Sequence, residues 1–166
     1  GASSWRSMAH RAANEIIFQV TGQKGPFNTR FTYARKTKTG KEIGLVDFDG
    51  HDERSITNNG SINLKPIWHP NGRALSFTSY REGNPDLYVA ELSKGLIQRV
   101  SNRMGINIGG SWSPDGATMA LTLAPDGNPD IYLIEPLSGR NIARLTRSGG
   151  NGLGPRYYYY WADIDS

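Results

Sequence analysis

Ile67-Trp68-His69-Pro70-Asn71-Gly72 returns as Ser111-Trp112-Ser113-Pro114-Asp115-Gly116, and Gly83-Asn84-Pro85-Asp86-Leu87-Tyr88 returns as Gly127-Asn128-Pro129-Asp130-Ile131-Tyr132. Both pairs keep one offset of 44 residues. Two separate motifs sharing an offset mark an internal repeat. A period of this size carrying four short strands is that of a β-propeller blade.

Within one unit the order of strands can be read directly. A strand leads to Trp68, a Pro-Asn-Gly turn follows, and Ala74 to Ser79 alternates Leu75 and Phe77 with polar neighbours. After the Gly-Asn-Pro-Asp connection come a third strand, Leu87 to Leu92, a Ser93-Lys94-Gly95 turn and a fourth strand, Leu96 to Val100. The next unit repeats this with Met119 to Leu123, Ile131 to Ile134, Leu137-Ser138-Gly139 and Ile142 to Leu145. Alternation and repeat equivalence place Leu75, Phe77, Tyr88, Val89, Met119, Leu121, Tyr132 and Leu133 in the interior.

An earlier, weaker unit shows Arg30 to Arg35, Glu42 to Asp47 and Arg54 to Thr57, without a first strand. Lys38-Thr39-Gly40-Lys41 and Asp49-Gly50 are its hairpin signals. Ahead of it, Met8, Ala12, Ala13, Ile16, Ile17 and Val20 fall on one helical stripe over Ser7 to Val20, with Gly22 as the stop. The expected organisation is an N-terminal helix and linker over 1–27, about three blades over 28–157, and an atypical aromatic tail over 158–166. The fold class is therefore all-β, a propeller fragment of about three four-stranded blades with a short helix.

The rest of the composition agrees. Among 166 residues, 20 glycines and 9 prolines imply frequent turns. The absence of cysteine excludes disulfides, thiolate metal sites and a cysteine nucleophile. A net charge of +4 selects no partner, and no pattern calls for nucleic acid or a cofactor. No stretch reaches the ~18 apolar residues of a membrane span.

The Trp-Ser-Pro-Asp-Gly unit from Trp112 and the Gly-Asn-Pro-Asp-Ile-Tyr-Leu unit from Gly127 resemble TolB-type propeller repeats. The segment His10-Arg11-Ala12-Ala13-Asn14-Glu15-Ile16-Ile17, with Thr21-Gly22, Gly25-Pro26-Phe27 and Thr29-Arg30-Phe31, resembles the helix that leads into the first propeller strand of that family. The resemblance implies a six-bladed parent ring, a periplasmic location, no catalysis and no cofactor. It also implies a protein partner, the peptidoglycan-associated lipoprotein Pal of the Tol-Pal envelope system. In the family the partner docks at the channel mouth, reached by the segments leading into each first strand. By position that role falls to Asn63, Leu64, Lys65, Ile106, Asn107 and Ile108.

Other groups read as structural. Asp47, Asp49 and Asp52 offer three carboxylates that a calcium ion could use, but the Asp49-Gly50 hairpin accounts for them without a metal. His10, His51 and His69 have no metal-ligand spacing. Gly109-Gly110-Ser111-Trp112-Ser113 lacks the last glycine of a nucleophile elbow. Gly149 to Gly154 fails as a phosphate loop. Arg35, Lys36, Lys38 and Lys41 form a basic hairpin that discourages edge pairing.

Two alternatives remain open: the propeller of a prolyl-oligopeptidase-like serine peptidase, or a truncated or engineered self-assembling propeller with only a structural role. Three blades cannot close a ring. A second copy or a partner chain is therefore expected to complete it, with Tyr157 to Tyr160 exchanged as a strand in the homodimeric version.

Overall fold

A computed structural model describes residues 2–147. Helix α1 (Ala2–Thr21) is followed by strands β1 (Arg30–Lys36), β2 (Lys41–Asp47) and β3 (Arg54–Ser55), which form a three-stranded sheet in the order β1-β2-β3. Strands β4 (Asn63–Trp68), β5 (Ala74–Ser79), β6 (Asp86–Glu91) and β7 (Leu96–Ser101) make a four-stranded sheet. Strands β8 (Asn107–Trp112), β9 (Met119–Leu123), β10 (Asp130–Glu135) and β11 (Arg140–Arg144) make another. Each pairing within the sheets is antiparallel between chain neighbours, so every blade is a simple meander.

The turns explain why the chain folds back where it does. His69 N–H is held by the Ala74 carbonyl at 2.9 Å and Gly72 N–H by the His69 carbonyl at 2.9 Å. In the next blade Ser113 N–H to Thr118 O and Gly116 N–H to Ser113 O do the same at 2.9 and 2.8 Å. Repeat equivalence extends to a defect. Pairing shifts between Leu64 and Ile67 in β4 and between Ile108 and Ser111 in β8, an identical bulge one repeat apart.

Packing is between blades rather than within them. One core cluster joins Leu87, Val89 and Val100 of the second blade to Trp112, Met119, Leu121, Leu123, Tyr132 and Ile134 of the third. The other joins Ile43 of the first blade to Leu75, Phe77, Tyr88 and Ala90 of the second. Phe77 stacks on Tyr88 with ring centroids 5.8 Å apart, and the Arg81 guanidinium lies 4.2 Å from the Tyr88 centroid. Gly110 lies where β8 meets the second blade. A Cβ there would come within 2.6 Å of Met119 Sδ and 3.4 Å of Leu87 Cδ1, so the close approach requires glycine.

The expected interior residues are buried except Leu133, which is half-buried while Ile134 is fully buried. Burial alternates along β10, with Asp130, Tyr132 and Ile134 buried and Ile131, Leu133 and Glu135 half-buried, so Leu133 lies on the face opposite the core shared with the second blade. Strand β3 is also shorter than expected, because Thr57 leaves the ladder to serve a buried carboxylate.

The helix departs further from its pattern. Its apolar stripe is largely outside: Met8, Ile16 and Val20 are exposed, as are Trp5 and Phe18. The helix is instead held by polar groups, with Asn14 Oδ1 accepting from Phe27 N–H at 3.1 Å and Arg6 reaching the first blade. Among the described residues no helix is long and apolar enough to cross a membrane.

Replacing Phe77 by Ala removes a fully buried ring from the core between the first two blades. The expected loss is about 3–5 kcal/mol of unfolding free energy. Urea unfolding of the variant measures it, with exposed Leu137→Ala as a control expected to stay near zero.

Candidate partner-binding face

The first residues of β4 and β8, with Ile106 just ahead of β8, are the six positions assigned to a partner. The structure divides them into two kinds. Asn63 and Asn107 are fully buried and committed to internal hydrogen bonds. Asn63 Nδ2 donates to the Lys41 carbonyl at 2.8 Å, to Asn59 Oδ1 at 2.9 Å and to Glu42 Oε2 at 3.1 Å. Asn107 Nδ2 donates to the Arg103 carbonyl at 2.6 Å, and its Oδ1 accepts from Ser101 Oγ at 2.7 Å and Arg103 N–H at 3.0 Å. Lys65 is exposed, and Leu64, Ile106 and Ile108 are half-buried, so these four can present surface to a partner.

Lys65 has φ of 52° at the β4 bulge, where the equivalent residue one repeat on is Gly109 with φ of 77°. A side chain in this left-handed region costs roughly 1–2 kcal/mol. The fold therefore holds a lysine where glycine would be easier.

Behind these surface positions lies a repeated buried carboxylate that sequence reasoning missed. Glu42, Asp86 and Asp130 stand one repeat apart at the inner end of the third strand of each blade, and all are buried. Glu42 Oε1 accepts from Asn59 N–H at 3.0 Å and Gly60 N–H at 2.8 Å, while Oε2 takes the Thr57 hydroxyl. Asp86 accepts from Asn84 Nδ2 at 2.9 Å and faces Arg99 at 3.3 Å. Asp130 pairs with Arg144 and accepts from Thr146 Oγ1 at 2.9 Å. The signal was available, since the same 44-residue offset relates the three acids. Asp86 and Asp130 sat inside a turn motif that already had an explanation, and Glu42 was read as the first residue of a strand.

The three aspartates of the first blade are also occupied from within the chain. Arg6 donates to Asp47 Oδ2 at 2.7 Å, to both oxygens of Asp49 at 2.7 Å and to Asp52 Oδ2 at 3.4 Å. His10 Nε2 lies 3.0 Å from Asp49 Oδ2, and Arg30 joins Asp47 at 3.0 Å. The Arg6 hydrogen bonds hold the Asp49 carboxyl far below the usual carboxylate range. For Asp47, burial acts to raise the pKa and is outweighed by hydrogen bonds from Arg6 and Arg30, leaving it lowered.

The basic hairpin is solvated, with Arg35 paired to Glu53 at 2.9 Å. Ser111 sits inside β8 opposite Ala120, in a ladder and not at the strand-to-helix turn of a nucleophile elbow. Asn151 to Gly154 and Tyr157 to Tyr160 lie outside the described residues.

The family profile described as TolB beta propeller domain matches residues 18–160. The chain belongs to the TolB β-propeller domain family. It is 42% identical over 89 residues to the Tol-Pal system protein TolB of Desulfosudis oleivorans, a match covering 54% of this chain and 20% of that protein. It is 40% identical over 104 residues to the TolB of Thioalkalivibrio sulfidiphilus, covering 60% of this chain and 24% of the relative. The crystal structure of TolB from Acinetobacter baumannii superposes with a TM-score of 0.76 at 26% identity, over 82% of this chain and 35% of that one. The chain thus spans about a fifth to a third of the TolB proteins it matches, and the mostly antiparallel three-sheet architecture is that of part of their propeller.

Two outcomes follow. Asn107→Ala leaves the buried Ser101 and Arg103 groups without their acceptor and is expected to cost about 1–3 kcal/mol, read by urea unfolding. The contacts of Arg6 depend on carboxylates whose folded-state pKa values are lowered. Their contribution is therefore complete above the ordinary carboxylate pKa and is lost as pH falls through the lowered folded values. Cleavage in the 22–29 linker by an acid-active protease should accelerate as pH drops below about 4, and Arg6→Ala should show the fast rate already at neutral pH.

Proposed function

We propose that this chain is a non-catalytic, protein-binding part of a TolB-type propeller that acts in the periplasm and binds a Pal-like lipoprotein. The observation that carries this reading is the family match over residues 18–160 together with relatives named Tol-Pal system proteins. The partner face is formed by Leu64, Lys65, Ile106 and Ile108, at the ends of β4 and β8 where the two first strands begin. Asn63 and Asn107 act on the partner indirectly, by setting the backbone of those segments.

The left-handed Lys65 supports the assignment. A strained residue kept at a surface bulge is a reason to look for function there. A cation flanked by half-buried Leu64 and Ile108 suits a partner surface with an acidic group beside apolar side chains. Strand β1 has no strand on its other edge among the described residues, and a further strand from the rest of a ring, a second copy or a partner chain would complete that blade.

Calorimetric titration with a soluble Pal-like lipoprotein domain tests the reading. Wild-type chain is expected to bind, and Lys65→Glu is expected to weaken binding at least tenfold with the thermal midpoint unchanged. Equal affinity in Lys65→Glu would remove this residue from the face. No binding by a folded wild-type chain would remove the partner. The same preparation is expected to turn over no generic peptidase substrate, and turnover abolished by Ser111→Ala would overturn the non-catalytic reading.

A further inference from the structure

A cleft of about 580 Å³ lies between the second and third blades, at the opposite ends of β4 and β8 from the proposed partner face. It is bounded by the first turns of both blades, through His69, Arg73 and Trp112, and by the ends of β6 and β10. Its apolar walls come from Val89, Pro136 and Leu137. This volume falls in the range of sites for small molecules and short peptide segments.

The polar groups around the cleft are unequally committed. Its two acids are already engaged, Glu91 by Lys94 at 2.7 Å and Glu135 by Ser138 at 2.6 Å and Arg140 at 3.5 Å. The donors are not. The exposed Arg73 guanidinium has no ion-pair partner among the described residues. His69 uses Nδ1 to accept from Asn71 N–H at 3.1 Å, which leaves Nε2–H as a donor. The Trp112 indole N–H is the one buried side-chain polar atom among the described residues without a hydrogen-bond partner. The His69 and Trp112 rings meet edge to face at 4.5 Å, so the two are set as a unit.

We propose that this cleft binds a peptide segment carrying a carboxylate next to an apolar side chain. The carboxylate meets Arg73 and His69, and the apolar side chain lies between Val89 and Leu137 against Trp112. Complementarity carries the argument, because the one charge at the cleft not engaged within the described residues is the Arg73 guanidinium, while the walls are apolar. An acceptor brought by the segment also supplies what the indole N–H lacks. The inference is independent of the partner face at the other ends of β4 and β8.

The carboxylate can be a chain terminus or an acidic side chain, and two probes distinguish them. The ¹⁵N-labelled full chain is titrated with N-acetylphenylalanine and with acetyl-Glu-Phe-amide, following the Trp112 indole N–H signal, identified by its loss in Trp112→Phe. N-acetylphenylalaninamide, which lacks a carboxylate, is the control. At least one acidic probe is expected to shift the signal saturably and at least tenfold more tightly than the control. Arg73→Ala and Arg73→Gln are expected to weaken that probe at least tenfold while leaving the rest of the spectrum in place. A terminal source is indicated by the first probe and a side-chain source by the second. An unmoved indole signal with both probes, equal binding of the amide, or full affinity in both Arg73 variants would overturn the proposal.

Discussion

Each four-stranded sheet in this molecule is too small to bury both of its faces by itself, and everything else follows from how neighbouring sheets cover one another. Ile43 reaches across to Phe77, and Leu87 and Val89 reach across to Trp112 and Leu121. The contacts that stabilise a blade are thus made by the next blade. Glycine at 110 is the local consequence, since a Cβ there would run into Met119 of the core shared by the second and third blades.

Apolar packing alone leaves the junctions between blades without direction, because hydrophobic contact is non-directional. Buried polar groups supply it. Glu42, Asp86 and Asp130 stand at the start of the third strands and are met by backbone N–H groups, hydroxyls, an amide and arginines, while Asn63 and Asn107 start the first strands that follow Glu42 and Asp86 and bond to the connecting loops. Such a network is costly when half-made and specific when complete. It therefore sets the path of the chain into β4 and β8, where Leu64, Lys65, Ile106 and Ile108 lie, and links core construction to the proposed partner face.

The strands and turns were legible in the sequence because blades repeat, and a repeat reports each element twice. Period-two alternation then assigned Leu75, Phe77, Met119 and Leu121 to the interior. Leu133 was assigned by repeat equivalence with Val89, but β6 is buried on both faces while β10 is buried on alternate residues only, which leaves Leu133 on its half-buried face. Helix α1 was legible as a helix, yet its apolar stripe does not mark the docked side; Arg6, His10 and Asn14 do, through partners about 13 to 46 residues away. Asn63 and Asn107 begin β4 and β8 and are fully buried, and position along the chain does not tell a buried hydrogen-bonding group from an exposed one. The three aspartates around Gly50 were read as a turn, and their common partner Arg6 lies in another element altogether.

The central claim is that blades are stabilised through shared interfaces and not as independent sheets. Native-state hydrogen exchange on wild-type chain and Leu121→Ala tests it most directly, because Leu121 belongs to the third blade but its cluster includes β6 and β7 of the second. The account predicts that the slowest amides of β6 and β9 open with the same free energy in the wild type and are lowered together in the variant. A loss confined to β8–β11, with β4–β7 unchanged, would contradict it.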